Sequence, residues 1–206
     1  ATVTTAPDGF GSKFDLRFGA DHGSGANFSS CAVLTATVKT ADGHAVWVLD
    51  EYVSDGMTTE KQDARGVVSM LKRWGWTWKD VTHATGDRVH YGAGGKYGRQ
   101  LGKKSNGQMQ RAIAREMGIQ PHEMGTQIKT VRKGAGSVHA STRWLHRAMV
   151  RGEFHVSQRC TRVLGMLNNW DGSDNEWKHI ADALLYSLNS VIFSPRARIR
   201  TTINNG

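Results

Sequence analysis

The sequence predicts an α/β domain built on a mixed β-sheet with helices on its faces. Two observations carry this reading. The apolar residues repeat first with a period of two and then, from about residue 59, with the spacing of helices. The strand-like segments also come as an unbroken run of three before they alternate with helical segments, which suits a meander followed by helix-linked parallel strands. At 206 residues the chain fits one such domain.

Each element has a local reason. Phe14, Leu16, Phe18 and Ala20 alternate with Asp15, Arg17, Gly19 and Asp21, the period of a strand, and Asp21 ends it before a Gly/Ser loop. A second apolar run covers 32–38, and Asp42-Gly43 turns the chain into a third strand at 44–52. Thr59 with Gln62 makes a capping box ahead of Ala64, Val67, Val68 and Leu71, and that helix ends near Trp74-Gly75. A fourth strand at about 80–85 delivers Asp87. Ser105 with Gln108 caps a second helix carrying Met109, Ala112, Ile113 and Met117, which Gly118 stops. A short fifth strand follows at 128–131. Ser137 caps a third helix through Trp144, Leu145, Ala148 and Met149, closed by Gly152. Phe154-His155-Val156 is extended, Val163, Leu164 and Leu167 mark a fourth helix, and 176–193 a last one. Residues 1–12, small and turn-rich, read as a linker, 13–194 as the domain, and 195–206 as a basic tail with Arg196, Arg198 and Arg200.

The hydrophobic content of 38% with 24 glycines suits a globular protein with long loops and excludes a disordered chain. No apolar run has the length of a membrane span, and no signal peptide is visible. Two cysteines, Cys31 and Cys160, without a secretory signal read as free thiols in a reducing compartment. The net charge of +9 is uneven: between Arg88 and Lys133 ten basic residues face only Glu116 and Glu123, so this window holds +8 of it. A localised basic surface suits a polyanion, most often nucleic acid; the alternative is a plain solvated face.

Three aspartates stand at the edges of different apolar segments: Asp21 in Gly19-Ala20-Asp21-His22-Gly23, Asp87 in Gly86-Asp87, and Asp182 in Ile180-Ala181-Asp182-Ala183-Leu184-Leu185-Tyr186-Ser187-Leu188. Together with the order of elements from about residue 14 to 192, these motifs resemble the nuclease domain of viral large terminase subunits, of the ribonuclease H-like superfamily. The last motif is the most specific, although Leu185 stands where that family's signature has an arginine. The resemblance implies a metal-dependent endonuclease that cuts double-stranded DNA with two divalent cations, Mg²⁺ or Mn²⁺. Asp21 would bridge them, and Asp87 and Asp182 would each complete one shell. It also implies an ATPase domain on the N-terminal side of the same protein, the portal and the small terminase subunit as partners, no membrane, and the host cytoplasm as the setting. Carboxylate oxygens are natural ligands for hard cations that activate water and shield a phosphate. A resolvase-like nuclease of the same fold and a non-catalytic DNA-binding module are the alternatives.

Projected on a helix, Trp177, Ile180, Leu184, Leu188 and Val191 form a buried stripe that leaves His179 and Asp182 outside. That permits a solvated face or a flank turned toward the sheet edge, and it makes His179 a candidate metal ligand or phosphate-side partner. Asp50 and Glu51 are substitutes should Asp87 fail, and Asp171 and Asp174 form a further acidic pair suited to a loop or cap role. The stretch from Gly98 to Ser105 lacks the spacing of an ATP-binding phosphate loop. The basic residues Arg88, Lys96, Arg99, Lys103, Lys104, Lys129, Arg132 and Lys133 are expected to contact the DNA backbone. Trp74, Trp76 and Trp78 read as packing in preference to base stacking.

Overall fold

The computed structural model describes residues 2–3, 14–22, 29–41, 43–55, 58–87, 105–131 and 137–193. In chain order its elements are β1 (Thr2–Val3), β2 (Asp15–Asp21), β3 (Cys31–Thr40), β4 (Gly43–Val53), α1 (Glu60–Arg73), β5 (Val81–Gly86), α2 (Asn106–Met117), β6 (Ile128–Thr130), α3 (Ser137–Val150), β7 (Phe154–Val156), α4 (Thr161–Asn169) and α5 (Lys178–Ile192). The strands form one sheet in the order β1-β7-β4-β3-β2-β5-β6. The β2-β3-β4 meander is antiparallel, while β5 joins β2, β6 joins β5 and β7 joins β4 in parallel, so the sheet is mixed as its sequence pattern predicts. Of the expected linker, only Thr2 and Val3 are described, and they pair with His155 and Val156.

Each side of the sheet has its own core. On one, Leu16, Phe18 and Ala20 of β2 and Ala32, Leu34 and Ala36 of β3 meet α1 and α2; on the other, Val33, Val46, Val48 and Val156 meet α3, α4 and α5. The period of two puts alternate residues on opposite faces. A bulge in β4 breaks that alternation: Leu34 pairs Asp50 whereas Thr35 pairs Val48, leaving Leu49 as the extra residue. Asp50 therefore turns to the α1 side and Glu51 to the α4 side.

Local signals settle the helix ends. Thr59 and Gln62 form the capping box, with Gln62 N–H on Thr59 Oγ1 and Thr59 N–H on Gln62 Oε1. Ser105 Oγ accepts from Gln108 N–H at 3.2 Å, and Gly118 closes α2 at φ +69°. Trp78 is fully buried, its indole donating to the Thr126 carbonyl at 2.8 Å and its ring edge-on to Phe18. Trp74 and Trp76 stack on each other at 5.6 Å, with Phe14 against Trp76. Both cysteines are buried and free.

The last helix departs from the expected single stripe. In α5 every residue from Ile180 to Leu188 is buried, Asp182 and Ser187 included. The helix lies across β2, β3 and β5 and is backed by α3 and α4, so no side of this stretch is left to solvent. Gly19 makes the approach possible. A Cβ at this position would stand 2.0 Å from the Ala183 carbonyl oxygen and 2.4 Å from the Ser187 nitrogen, both backbone atoms. Any larger residue would push the helix off the sheet.

Candidate metal centre

The site is assembled where β2 and β5 end side by side. Ala20 pairs with Gly86, and the Asp87 N–H continues the ladder onto the Ala20 carbonyl at 3.1 Å. Adjacent parallel strands lie about 4.8 Å apart, so the main chains of Asp21 and Asp87 are close neighbours. Arg17, Gly19 and Asp21 on β2, with Thr85 and Asp87 at the end of β5, share the face that α5 covers, as their contacts with Ser190, Ala183, His179 and Tyr186 show.

The helix runs antiparallel to β2. His179 near its start meets Asp21 at the end of β2, and Ser190 near its finish meets Arg17 close to the strand's beginning. Its N-terminus is thereby brought to the carboxylates, where the positive end of the helix dipole favours negative charge. His179, Asp182 and Tyr186 stand at steps of three and four residues, on one side of the helix. His179 Nδ1 lies 2.7 Å from Asp21 Oδ2, and Tyr186 O–H donates to Asp87 Oδ1 at 3.2 Å. Tyr186 is held in turn by Thr85, whose hydroxyl donates to its carbonyl.

Burial pushes the Tyr186 phenol far above its ordinary value, and the charges of Asp182, Asp21 and Asp87 all add to the shift. The hydrogen bond to Asp21 raises the His179 pKa, against the opposing effect of its own burial. Asp21 and Asp182 are 6% and 7% exposed, little for carboxylates. Among the described residues, no three His, Cys, Asp or Glu side chains are drawn into a closed ligand cluster. Asp21 and Asp87 are instead turned onto His179 and Tyr186. Carboxylate oxygens and an imidazole nitrogen are nonetheless donors of the kind that bind divalent cations.

The other acids serve the fold. Asp50 accepts from Arg73 Nε at 2.8 Å and Nη2 at 2.9 Å and from the Trp74 indole at 3.3 Å. Glu51 accepts from the N–H groups of Arg162 and Val163 at 2.7 and 2.8 Å and so caps α4, whose own N-cap residue, Cys160, supplies no side-chain bond. These two, the expected substitutes for Asp87, are thus both engaged by groups of the fold. Asp171 accepts from Ser173 N–H within the loop before α5, and Asp174 pairs with Lys178 at 3.0 Å; the N-cap residue of α5 is Trp177. Of the expected DNA contacts, Lys129 is exposed on the edge strand β6, in register with Thr85. Arg88, Lys96, Arg99, Lys103, Lys104, Arg132 and Lys133 lie outside the described residues.

Sequence reasoning missed Tyr186, His22 and Asn106. His22 Nε2 sits 2.7 Å from Asn106 Oδ1, and burial lowers the His22 pKa. Adjacency to Asp21 and Asp182 was the available signal for His22 and Tyr186. Beside His179 runs a groove of about 460 Å³ bordered by Ser29, Arg162, Asp174, Asn175 and Glu176. The Arg162 guanidinium lies over the Trp177 ring at 4.7 Å.

No family model matches the sequence, and no curated protein matches it either. Solved structures do. The chain is similar to the large terminase nuclease domain of bacteriophage SPP1 with bound Mn, at TM-score 0.51 and 17% identity, covering 85% of each chain. It is similar to the large terminase nuclease domain of P22 at TM-score 0.56 and 15% identity, covering 93% of this chain and 87% of the other. It also matches the large terminase of a thermophilic bacteriophage at TM-score 0.57 and 14% identity, covering 93% of this chain but 43% of that longer one. At these identities the likeness is one of architecture. Sheet order, the placement of the last helix and these matches together give the chain the ribonuclease H-like fold of viral large terminase nuclease domains.

Proposed function

We propose that this chain is a metal-dependent endonuclease that cuts double-stranded DNA, acting as the nuclease part of a viral DNA-packaging protein. What supports the reading is that Asp21 and Asp87, at neighbouring strand ends, meet His179 and Tyr186 of one helix at 2.7 and 3.2 Å, with Asp182 between those two residues on the same side of that helix. The SPP1 nuclease domain has bound Mn and the human cytomegalovirus terminase nuclease domain was soaked with Mn, which supports divalent metal use in this fold.

In this reading Asp21, Asp87 and Asp182 hold two divalent cations, with His179 as a fourth ligand. Such ions supply a water made nucleophilic at neutral pH and shielding for the phosphate. The protein's own part is placement. Gly19 lets α5 seat Asp182 against the sheet, and Tyr186 fixes one oxygen of Asp87. A bound cation would replace His179 as the partner of Asp21 Oδ2 and leave the imidazole available as a ligand. Arg162 beside the groove and Lys129 at the sheet edge are suited to phosphate oxygens flanking the cut, as are the basic residues of the 88–104 and 132–133 segments. The longer chain of the thermophilic phage's terminase supports a larger protein around this domain. We place an ATPase domain on its N-terminal side, with the portal and small terminase subunit as partners in the host cytoplasm. No helix among the described residues is long and apolar enough to cross a membrane.

The test is nicking of a supercoiled plasmid with Mn²⁺ or Mg²⁺ by the unaltered chain, Asp21→Ala and Asp182→Ala. Cleavage by the unaltered chain alone is expected. Equal cleavage by all three would remove these acids from the chemistry.

A further inference from the structure

The two strand-borne acids can work together only if the ends of β2 and β5 keep a fixed spacing, and one amide spans them. Asn106, the first residue of α2, is 8% exposed. Its Oδ1 meets Nε2 of His22, the residue after Asp21, at 2.7 Å. Its Nδ2 donates to the main-chain carbonyl of Asp87 at 3.2 Å and to Thr130 Oγ1 at 3.3 Å. A carbonyl can only accept, so the amide nitrogen must face Asp87 and the oxygen His22. His22 then donates from Nε2. Three strand ends, those of β2, β5 and β6, are joined through one side chain.

The fold reserves room for this contact. A Cβ on Gly86 would lie 2.1 Å from Asn106 Oδ1 and 3.0 Å from its Cγ, so glycine at 86 and asparagine at 106 are a matched pair. Nor is Asn106 needed to start its helix, since Ser105 caps α2 through the Gln108 N–H. Its polar atoms all serve the strand ends.

We infer that Asn106 is a positioning residue of the metal centre, holding the backbone on either side of the Asp21–Asp87 gap so that both carboxylates reach the same ions. This rests on the metal-dependent reading above. Asn106 touches neither carboxylate; it acts through His22 and the Asp87 backbone. Partners that orient metal ligands are typically worth about 10–100-fold in metal affinity.

Mn²⁺ binding, followed by the loss of the free-ion electron paramagnetic resonance signal, separates the possibilities. It is measured on the unaltered chain, Asn106→Ala, Gly86→Ala, the double variant and Thr130→Val, with circular dichroism and thermal unfolding alongside. Asn106→Ala should stay folded and bind Mn²⁺ roughly 10–100-fold more weakly, with plasmid nicking recovering as Mn²⁺ is raised. Gly86→Ala should weaken binding similarly by displacing the amide. The double variant should bind about as weakly as Asn106→Ala, because the shortened side chain removes the clash with the amide and leaves the new methyl only a 3.2 Å approach to the Ile128 side chain. Thr130→Val removes one of the three partners at an exposed position and should weaken binding about two- to fivefold; it carries the test if Asn106→Ala does not fold. A folded Asn106→Ala with unaltered Mn²⁺ affinity, or a folded Thr130→Val with unaltered affinity in its place, overturns the inference. So do fully additive effects of the Gly86 and Asn106 changes. Failure of the unaltered chain to bind Mn²⁺ overturns the metal-dependent reading itself, and the inference falls with it.

Discussion

Two sets of buried and half-buried acids stand near strand ends in this molecule, and they are held in opposite ways. Asp50 and Glu51, on β4, are each tied to groups that have no other use: a guanidinium and an indole for Asp50, the open N–H groups of α4 for Glu51. Asp21 and Asp87, at the ends of β2 and β5, are tied instead to an imidazole and a phenol, groups that a cation can displace. Asp182 stands on α5 between His179 and Tyr186, the residues that bind these two acids. A carboxylate satisfied by backbone N–H groups or a fixed arginine stabilises the fold. One held by exchangeable side chains beside another carboxylate suits a ligand, as the proposed function requires. Proximity to a strand end distinguishes nothing; the identity of the partners does.

That contrast can be broken by mutation. The largest effect is expected in the exchangeable set: Asp21→Ala and Asp182→Ala should each lower plasmid nicking by roughly a thousandfold or more, about 4 kcal/mol of transition-state stabilisation, with thermal stability little changed or raised as repulsion is relieved. Next comes Gly19→Ala. Its methyl group would strike two backbone atoms of α5, so we expect about 3 kcal/mol or more of destabilisation, read by denaturant unfolding, together with loss of Mn²⁺ binding as Asp182 and His179 shift. Asp50→Ala should reverse the pattern of Asp21→Ala: about 2 kcal/mol of stability lost with Arg73 and Trp74 left unpaired, yet Mn²⁺ affinity unchanged in the folded protein. Glu51→Gln removes the charge and leaves one acceptor oxygen for the two α4 N–H groups, and should cost about 1 kcal/mol by the same assay, again without effect on Mn²⁺ affinity. If Asp50→Ala abolished metal binding in a folded protein, the distinction between the two sets would be lost.

Much of this was readable from local pattern because local pattern is what governs it. The meander, the helix caps at Thr59 and Ser105 and the stop at Gly118 depend on residues a few positions apart. Asp21 and Asp87 were readable as strand-end acids for the same reason. The environment of α5 was not. A single apolar stripe assumes one buried side, whereas this helix is enclosed by the sheet and by two helices, and its small and polar residues are buried with the rest. The contacts that organise the site are also long-range: His22 and Asn106 are 84 residues apart, Tyr186 and Asp87 are 99. Polar pairs at such separations leave no periodicity. Gly19 is the intermediate case, since a glycine within an alternating strand signals close approach of a backbone without saying which.

The most direct measurement is anomalous diffraction at the manganese edge from a crystal of this chain soaked in Mn²⁺. The account predicts two peaks among the carboxylates of Asp21, Asp87 and Asp182, with His179 turned from Asp21 toward one of them and Asp50 still paired with Arg73. Ordered manganese at Asp50 and Glu51, or none beside Asp21 and Asp182 at saturating Mn²⁺, would contradict it.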